Sequence, residues 1–392
     1  MKFCSTFTSL GIGLLVGSII LSGCEQPAAE ISTSVGKGAR IEATNTLISA
    51  TLIGGYNTSA TGAYDVKAYR LVYKTTNVDG SPIQASGLLL VPDKTTPSPL
   101  ISLQHYTIEV DRQAPSYYIS GTEGYTVGNR FATRGAIVAA ADYIGYGASR
   151  NVPHIYEHRS SLASASLDML RAARQFLAQK NVNWDSRLFL EGYSEGGFAT
   201  MALQKKLEED VPAEFNLVAS SVGAGGYDKP AFMKYIINNK TSGNADYNGN
   251  YIWALLTYDK VYGLNRPMSY YFKEPYATQI AQKGKDATIS VSLHLALTDS
   301  FRRAVNDGTD TEFLSAVEDN DIHDWKPRVP TRLYHGDADQ LVFYFNSKNA
   351  YDAMQLRQAP AVGLITLRGK NHNNAMTDFI IGTEMFFAQV LN

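Results

Sequence analysis

Gly192-Tyr193-Ser194-Glu195-Gly196 sets a hydroxyl between two residues that lack side chains. The run 187–190 before it reads as a strand, and 198–209 after it reads as a helix. A serine on such a sharp strand-to-helix turn is held in a strained conformation with its Oγ exposed. Small residues two before and two after it avoid collision, and Gly197 permits close packing of the helix. Three fixed letters alone are cheap evidence; the strand before and the helix after make the motif informative. Acyl transfer by a serine needs three further parts: a base, an acid that orients the base, and two N–H donors for the oxyanion.

The elements that must position these parts follow an alternating pattern. Residues 64–73 and 85–91 are β-rich, and Asp79-Gly80 supplies a turn between them. From residue 100 onward the apolar runs are short: 100–103, 136–141, 187–190, 217–221, 332–334 and 364–367. Such runs suit strands buried on both faces of a parallel sheet. Helical patterns lie between several of them. In 161–179, Leu162, Ser166, Met169, Leu170, Ala173, Phe176 and Leu177 share one face, with Arg171 and Arg174 opposite. Residues 198–209, 346–358 and 376–390 also read as helices. This is an α/β class chain with a mostly parallel, doubly wound sheet. Residues 227–328 break the alternation, with helical patterns at 251–262 and 290–305 and no convincing core strand. They are read as a helical cap inserted between a first core part, 41–226, and a second, 329–392. The segment is dense in tyrosine, including Tyr227, Tyr235, Tyr251 and Tyr258. Tyrosine offers an apolar face with a polar tip, which suits a pocket for an acyl or aryl group.

With the strands in place, candidate partners can be chosen. In α/β-hydrolases the serine is followed by the acid and then the histidine. Of seven histidines, only His335 and His372 lie beyond the proposed cap beside late strands. His372 follows the last strand and precedes the last helix, where the base belongs. His335 comes before the candidate acids and reads as a structural residue of the turn. His105, His154, His158, His294 and His323 lack the expected setting. Asp337 and Asp339 are the candidate acids. The pattern His-Gly-x-x-Asp-x-x-Val from His335 to Val342, common in hydrolases, selects Asp339, with Asp337 the alternative. One oxyanion donor is expected from the N–H of Glu195, the residue after the nucleophile. The other is expected from the loop Gln104-His105-Tyr106-Thr107, where Thr107 is preferred and Tyr106 remains open.

Composition narrows the function classes. The 392 residues are 44% hydrophobic and 18% charged, a profile that can fill a sizeable core. With 35 basic and 37 acidic side chains the formal charge is −2, unsuited to nucleic acid. No P-loop, His-Glu-x-x-His helix or convincing dinucleotide fingerprint is present, so no cofactor is implied. The two cysteines are both N-terminal. Lys2, the apolar run 10–21 and Leu21-Ser22-Gly23-Cys24 read as a leader over 1–23 with a short apolar region. Its end resembles a bacterial lipoprotein lipobox, which implies a lipidated Cys24, a tether over 24–40 and attachment to the cell envelope. Glu25 favours the outer membrane or surface over the inner membrane by the same resemblance.

The chain resembles α/β-hydrolases of the secretory lipase type. Three blocks carry the likeness: Gly192-Tyr193-Ser194-Glu195-Gly196-Gly197; Ala141-Asp142-Tyr143-Ile144-Gly145-Tyr146-Gly147; and Leu167-Asp168-Met169-Leu170-Arg171-Ala172-Ala173-Arg174 within 154–174. The resemblance implies an ester hydrolase with a cap over its acyl pocket, acting on small-molecule or lipid esters. Two other readings compete. A prolyl-peptidase-like hydrolase lacks room for its propeller domain in this length, and a catalytically silent ligand-binding lipoprotein would have no use for a complete Ser, Asp and His set.

Overall fold

The computed structural model describes residues 45–58 and 60–391; the leader, the lipobox and the tether lie outside the described residues. Among the described residues nine strands form one sheet: β1 (Leu47–Tyr56), β2 (Val66–Thr76), β3 (Pro82–Pro92), β4 (Ser98–Gln104), β5 (Ile137–Ala141), β6 (Trp184–Tyr193), β7 (Asn216–Gly223), β8 (Thr331–Gly336) and β9 (Val362–Leu367). Their order is β1-β2-β3-β5-β4-β6-β7-β8-β9. β1 to β3 are antiparallel to their neighbours, and every pairing from β5 to β9 is parallel.

Helices cover both faces. α1 (Glu123–Ala132) and α12 (His372–Leu391) lie on one; α2 (Arg159–Gln179), α3 (Glu195–Glu209) and α11 (Phe345–Leu356) lie on the other. Successive strand side chains point to opposite faces, and the two cores divide accordingly. Ile137, Ala139, Leu188 and Leu190 pack with α2 and α3, whereas Val138, Ala140 and Phe189 pack with α1 and α12. Because both faces are covered, the buried runs 137–141 and 188–190 are apolar at every position. The buried face of α2 carries Leu162, Met169, Leu170, Ala173, Phe176 and Leu177. Its opposite face sends Arg171 and Arg174 to Glu214.

Between β7 and β8 the chain runs through seven helices: α4 (Lys229–Asn238), α5 (Ala245–Val261), α6 (Met268–Tyr271), α7 (Tyr276–Lys283), α8 (Leu293–Ala296), α9 (Asp299–Asn306) and α10 (Thr311–Asp319). They add no strand to the sheet and build a separate core around Ile252, Tyr258, Phe301 and Phe313. Tyr227, Ile322 and Trp325, at the two ends of the segment, pack into the sheet's core instead. Residues 290–305 do not form the single helix expected from their pattern. Leu297 is extended and bridges Phe272, and the Thr298 side chain then accepts the N–H of Phe301 to start α9. Thr298 thus acts as a helix cap rather than a helix interior residue.

Candidate active site

Ser194 stands between the last residue of β6 and the first of α3, with φ 59° and ψ −124°. A left-handed φ costs a non-glycine residue on the order of 1–3 kcal/mol, so the surroundings must enforce it. The Ser194 N–H donates to Gly223 O at 2.8 Å, and the Phe198 N–H donates to Ser194 O at 3.0 Å. Side chains are excluded around it. A Cβ on Gly196 would lie 2.0 Å from Gln104 O, and one on Gly197 would lie 2.2 Å from Gly223 O. The start of α3 is therefore wedged against the ends of β4 and β7. The chain leaves β4 towards β5 on one side and leaves β6 towards β7 on the other. Ser194 thus opens at a reversal of strand order, where crevices form in open α/β sheets.

His372, the first residue of α12, brings Nε2 to 2.8 Å from Ser194 Oγ. Its Nδ1 lies 2.6 Å from Asp339 Oδ2. A carboxylate there accepts from Nδ1–H, which leaves Nε2 as the acceptor for the serine hydroxyl. Tyr193 fixes the histidine backbone by donating its OH to His372 O at 2.6 Å. Asp339 Oδ1 accepts the N–H groups of Leu341 and Val342 at 2.8 and 3.0 Å. Burial alone would raise this carboxyl, but the charge of His372 and hydrogen bonds from His335 and His372 hold it down at about 2. His335 is fully buried at the end of β8, with Nε2 2.7 Å from Val342 O and 3.3 Å from Asp339 Oδ2. Its Nδ1 lies 2.7 Å from the Ser347 hydroxyl. Asp337 is exposed and accepts the N–H of Gly369 at 2.6 Å, which makes it part of a turn.

The loop after β4 separates the two candidate donors. The Tyr106 N–H donates to Glu123 Oε2 at 2.7 Å. Among the described residues no protein acceptor meets the N–H of Thr107 or that of Glu195. Thr107 lines a cleft together with Ser194 and His372, and its hydroxyl lies 3.1 Å from Tyr156 OH. The buried Glu195 carboxylate meets His154 Nε2 at 2.7 Å, while His154 Nδ1 donates to Ile144 O at 2.8 Å. His154 opens the block 154–174 without any sign of its partner, and Glu123 has no motif around it. Each is recognised only by a contact, with Glu195 or with the N–H of Tyr106, that the fold creates.

Ser194 borders two clefts. The apolar one runs beneath α4 and α5 and is lined by Phe232, Met233, Ile236, Leu255 and Leu293 among others. The other is bordered by Tyr106, Thr107, His372 and Met376. The expectation of a tyrosine-lined pocket is corrected here. Within the inserted segment only Tyr251 and Tyr258 face the apolar cleft, and their hydroxyls are taken by Leu341 O and Glu157 O. Phenylalanine and aliphatic side chains form most of the wall. Asp228, Asp321 and His323 are the one described group with metal-ligand spacing. Its atoms already serve one another, the N-cap of α4 and Asn349.

The nine-stranded sheet and the elbow at its centre define an α/β hydrolase. The family model described as secretory lipase matches residues 121–377, more than half of the chain. The chain belongs to the secretory lipase family and is a carboxylic ester hydrolase. No curated protein sequence matches it. Among solved structures, a protein of Legionella pneumophila provisionally named a hydrolase superposes with a TM-score of 0.79 at 22% identity, covering 88% of this chain and 98% of that one. The rice cell wall degrading esterase LipA of Xanthomonas oryzae gives 0.74 at 25% identity, with 88% and 97% covered. Candida antarctica lipase A gives 0.65 at 17% identity, with 86% and 82% covered.

The wedge is testable. Gly196→Ala should lower kcat by roughly a hundredfold or more, the scale of an ångström displacement at a reacting centre. Full activity in the purified variant would show that the contact with Gln104 does not position Ser194.

Proposed function

We propose that the chain cleaves carboxylic esters through a covalent acyl-enzyme on Ser194. The observation that carries this reading is the hydrogen-bonded series Ser194 Oγ, His372 and Asp339, with spacings of 2.8 and 2.6 Å, at a strained elbow. Ser194 Oγ attacks the ester carbonyl carbon as His372 Nε2 takes its proton. The developing oxyanion is met by the N–H groups of Thr107 and Glu195, donors that are otherwise free. Collapse of the intermediate breaks the bond to the alcohol oxygen, which receives the proton from His372. Water then attacks the acyl carbonyl as His372 takes its proton; that proton passes to Ser194 Oγ as the bond from Oγ to the acyl carbon breaks, and the carboxylic acid is released. Asp339 stays ionised throughout and stabilises the imidazolium.

In this reading residues 41–226 and 329–392 form the hydrolase core and 227–328 form its cap. The acyl chain lies in the apolar cleft beneath α4 and α5, and the alcohol lies in the cleft beside Thr107. Substrates are small-molecule or lipid esters. The family's secretory character supports an extracellular or envelope location. The Leu21-Ser22-Gly23-Cys24 sequence supports acylation of Cys24 after removal of a leader. Mass spectrometry of protein extracted from bacterial membranes should find an acylated N-terminal Cys24, absent in Cys24→Ala. An unacylated wild-type chain would remove the anchor from the account.

The triad assignment makes a sharper demand. Ser194→Ala should lose all but residual p-nitrophenyl ester hydrolysis. Asp339→Asn should lower kcat by about 10⁴, the cost of that change in a serine protease. Asp337→Asn should remain within a few-fold of wild type. Loss of activity in Asp337→Asn with activity retained in Asp339→Asn would reverse the assignment of the acid.

A further inference from the structure

The apolar cleft beside Ser194 contains one pair of charges, Glu157 and Lys229. Both side chains are nearly buried, and the Lys229 ammonium donates to Glu157 Oε2. The same ammonium lies 4.1 Å from the ring centroid of Phe198, one helical turn along α3 from the nucleophile. Burying an ion pair in apolar surroundings carries a desolvation cost that its mutual attraction need not repay. A wall meant only to hold hydrocarbon would be better built from apolar residues.

Two features distinguish this pair from a simple cross-link. Its hydrogen-bonding capacity is not used up: among the described residues no donor meets Glu157 Oε1, and Glu157 Oε2 is the one oxygen that meets the Lys229 ammonium. Glu157 also holds a left-handed backbone at φ 47°, a conformation that costs a non-glycine residue and that clusters at ligand sites. The Tyr258 hydroxyl keeps it there by donating to Glu157 O at 3.0 Å.

The open valences define what would complete them. A ligand carboxylate would compete with Glu157 for the ammonium, and a ligand ammonium would compete with Lys229 for the carboxylate. A neutral hydroxyl competes with neither. It donates to Glu157 Oε1 and accepts from a remaining N–H of Lys229. We infer that the acyl cleft is specific for acyl groups bearing a hydroxyl, read by Glu157 and Lys229 together. This deepens the serine-esterase reading above and rests on it.

The test uses p-nitrophenyl esters of ω-hydroxy acids and of the matching unsubstituted acids, from roughly six to twelve carbons, a series that varies how far the hydroxyl reaches from Ser194. At one length or more, kcat/KM for the hydroxylated ester should exceed that of its parent by about tenfold or more, because a site built to hydrogen-bond a hydroxyl rejects the analogue lacking it. In the double variant Glu157→Gln, Lys229→Met the ratio should fall below one at every length. Glu157→Gln alone, which keeps an acceptor for Lys229, should lower the ratio if the double variant does not fold. Wild-type preference for the unsubstituted ester at every length would overturn the inference, as would an unchanged ratio in the folded variants. Neither result touches the role of Ser194, which fails only if Ser194→Ala still hydrolyses the unsubstituted esters.

Discussion

The first turn of α3 can reach the ends of β4 and β7 only because Gly196 and Gly197 present no side chain to Gln104 O and Gly223 O. That contact holds Ser194 at φ 59°, a conformation it would leave if the helix could retreat. Much of the proposed chemistry takes its place from this wedge. The loop after β4, held against α3, offers the N–H of Thr107. The first N–H of α3 is that of Glu195, at the positive end of the helix dipole. A sheet with reversed strand order at β4 and β6 leaves the crevice open above both.

Charge in the site is arranged by partners rather than by solvent. Asp339 is buried, yet two backbone N–H groups and two histidines surround it, so its carboxyl stays far below the usual range. Its folded value lies below the unfolded one. The stability it contributes is therefore complete above the ordinary aspartate range and is lost only as pH falls towards about 2. Glu195 is also buried, and its side chain is matched to His154, so the residue can lend its N–H while keeping its carboxylate engaged. Glu123 takes the N–H of Tyr106 and leaves that of Thr107 free. Each of these side chains lies in a different element from the group it serves.

Strands buried on both faces leave an apolar run in the sequence, which is why β4 to β8 are legible there; β9, at the sheet's edge and half-buried throughout, shows such a run as well. The elbow is legible because the steric demand for glycine around Ser194 is local. The proposed base, His372, is picked out by chain order and by its place between the last strand and the last helix. Other parts leave no such trace. β1 is an edge strand with most of its residues exposed, so it shows no clean alternation. α1 carries two glycines that lower its helical signal, at Gly124 and Gly128, where a Cβ would crowd Pro115 and Leu90. The choice between Tyr106 and Thr107 turns on Glu123, seventeen positions away, and no local pattern announces that contact. Tyrosine density in the inserted segment is a poor guide to its cleft, since Tyr271 and others serve the segment's own core.

Peptide mapping of the protein after reaction with a fluorophosphonate, which phosphonylates an activated serine, reads the reactivity of the elbow hydroxyl itself. One adduct per chain is expected, on the peptide containing Ser194, formed in step with the loss of ester hydrolysis. An adduct on another residue, or complete loss of activity with Ser194 unmodified, would contradict it.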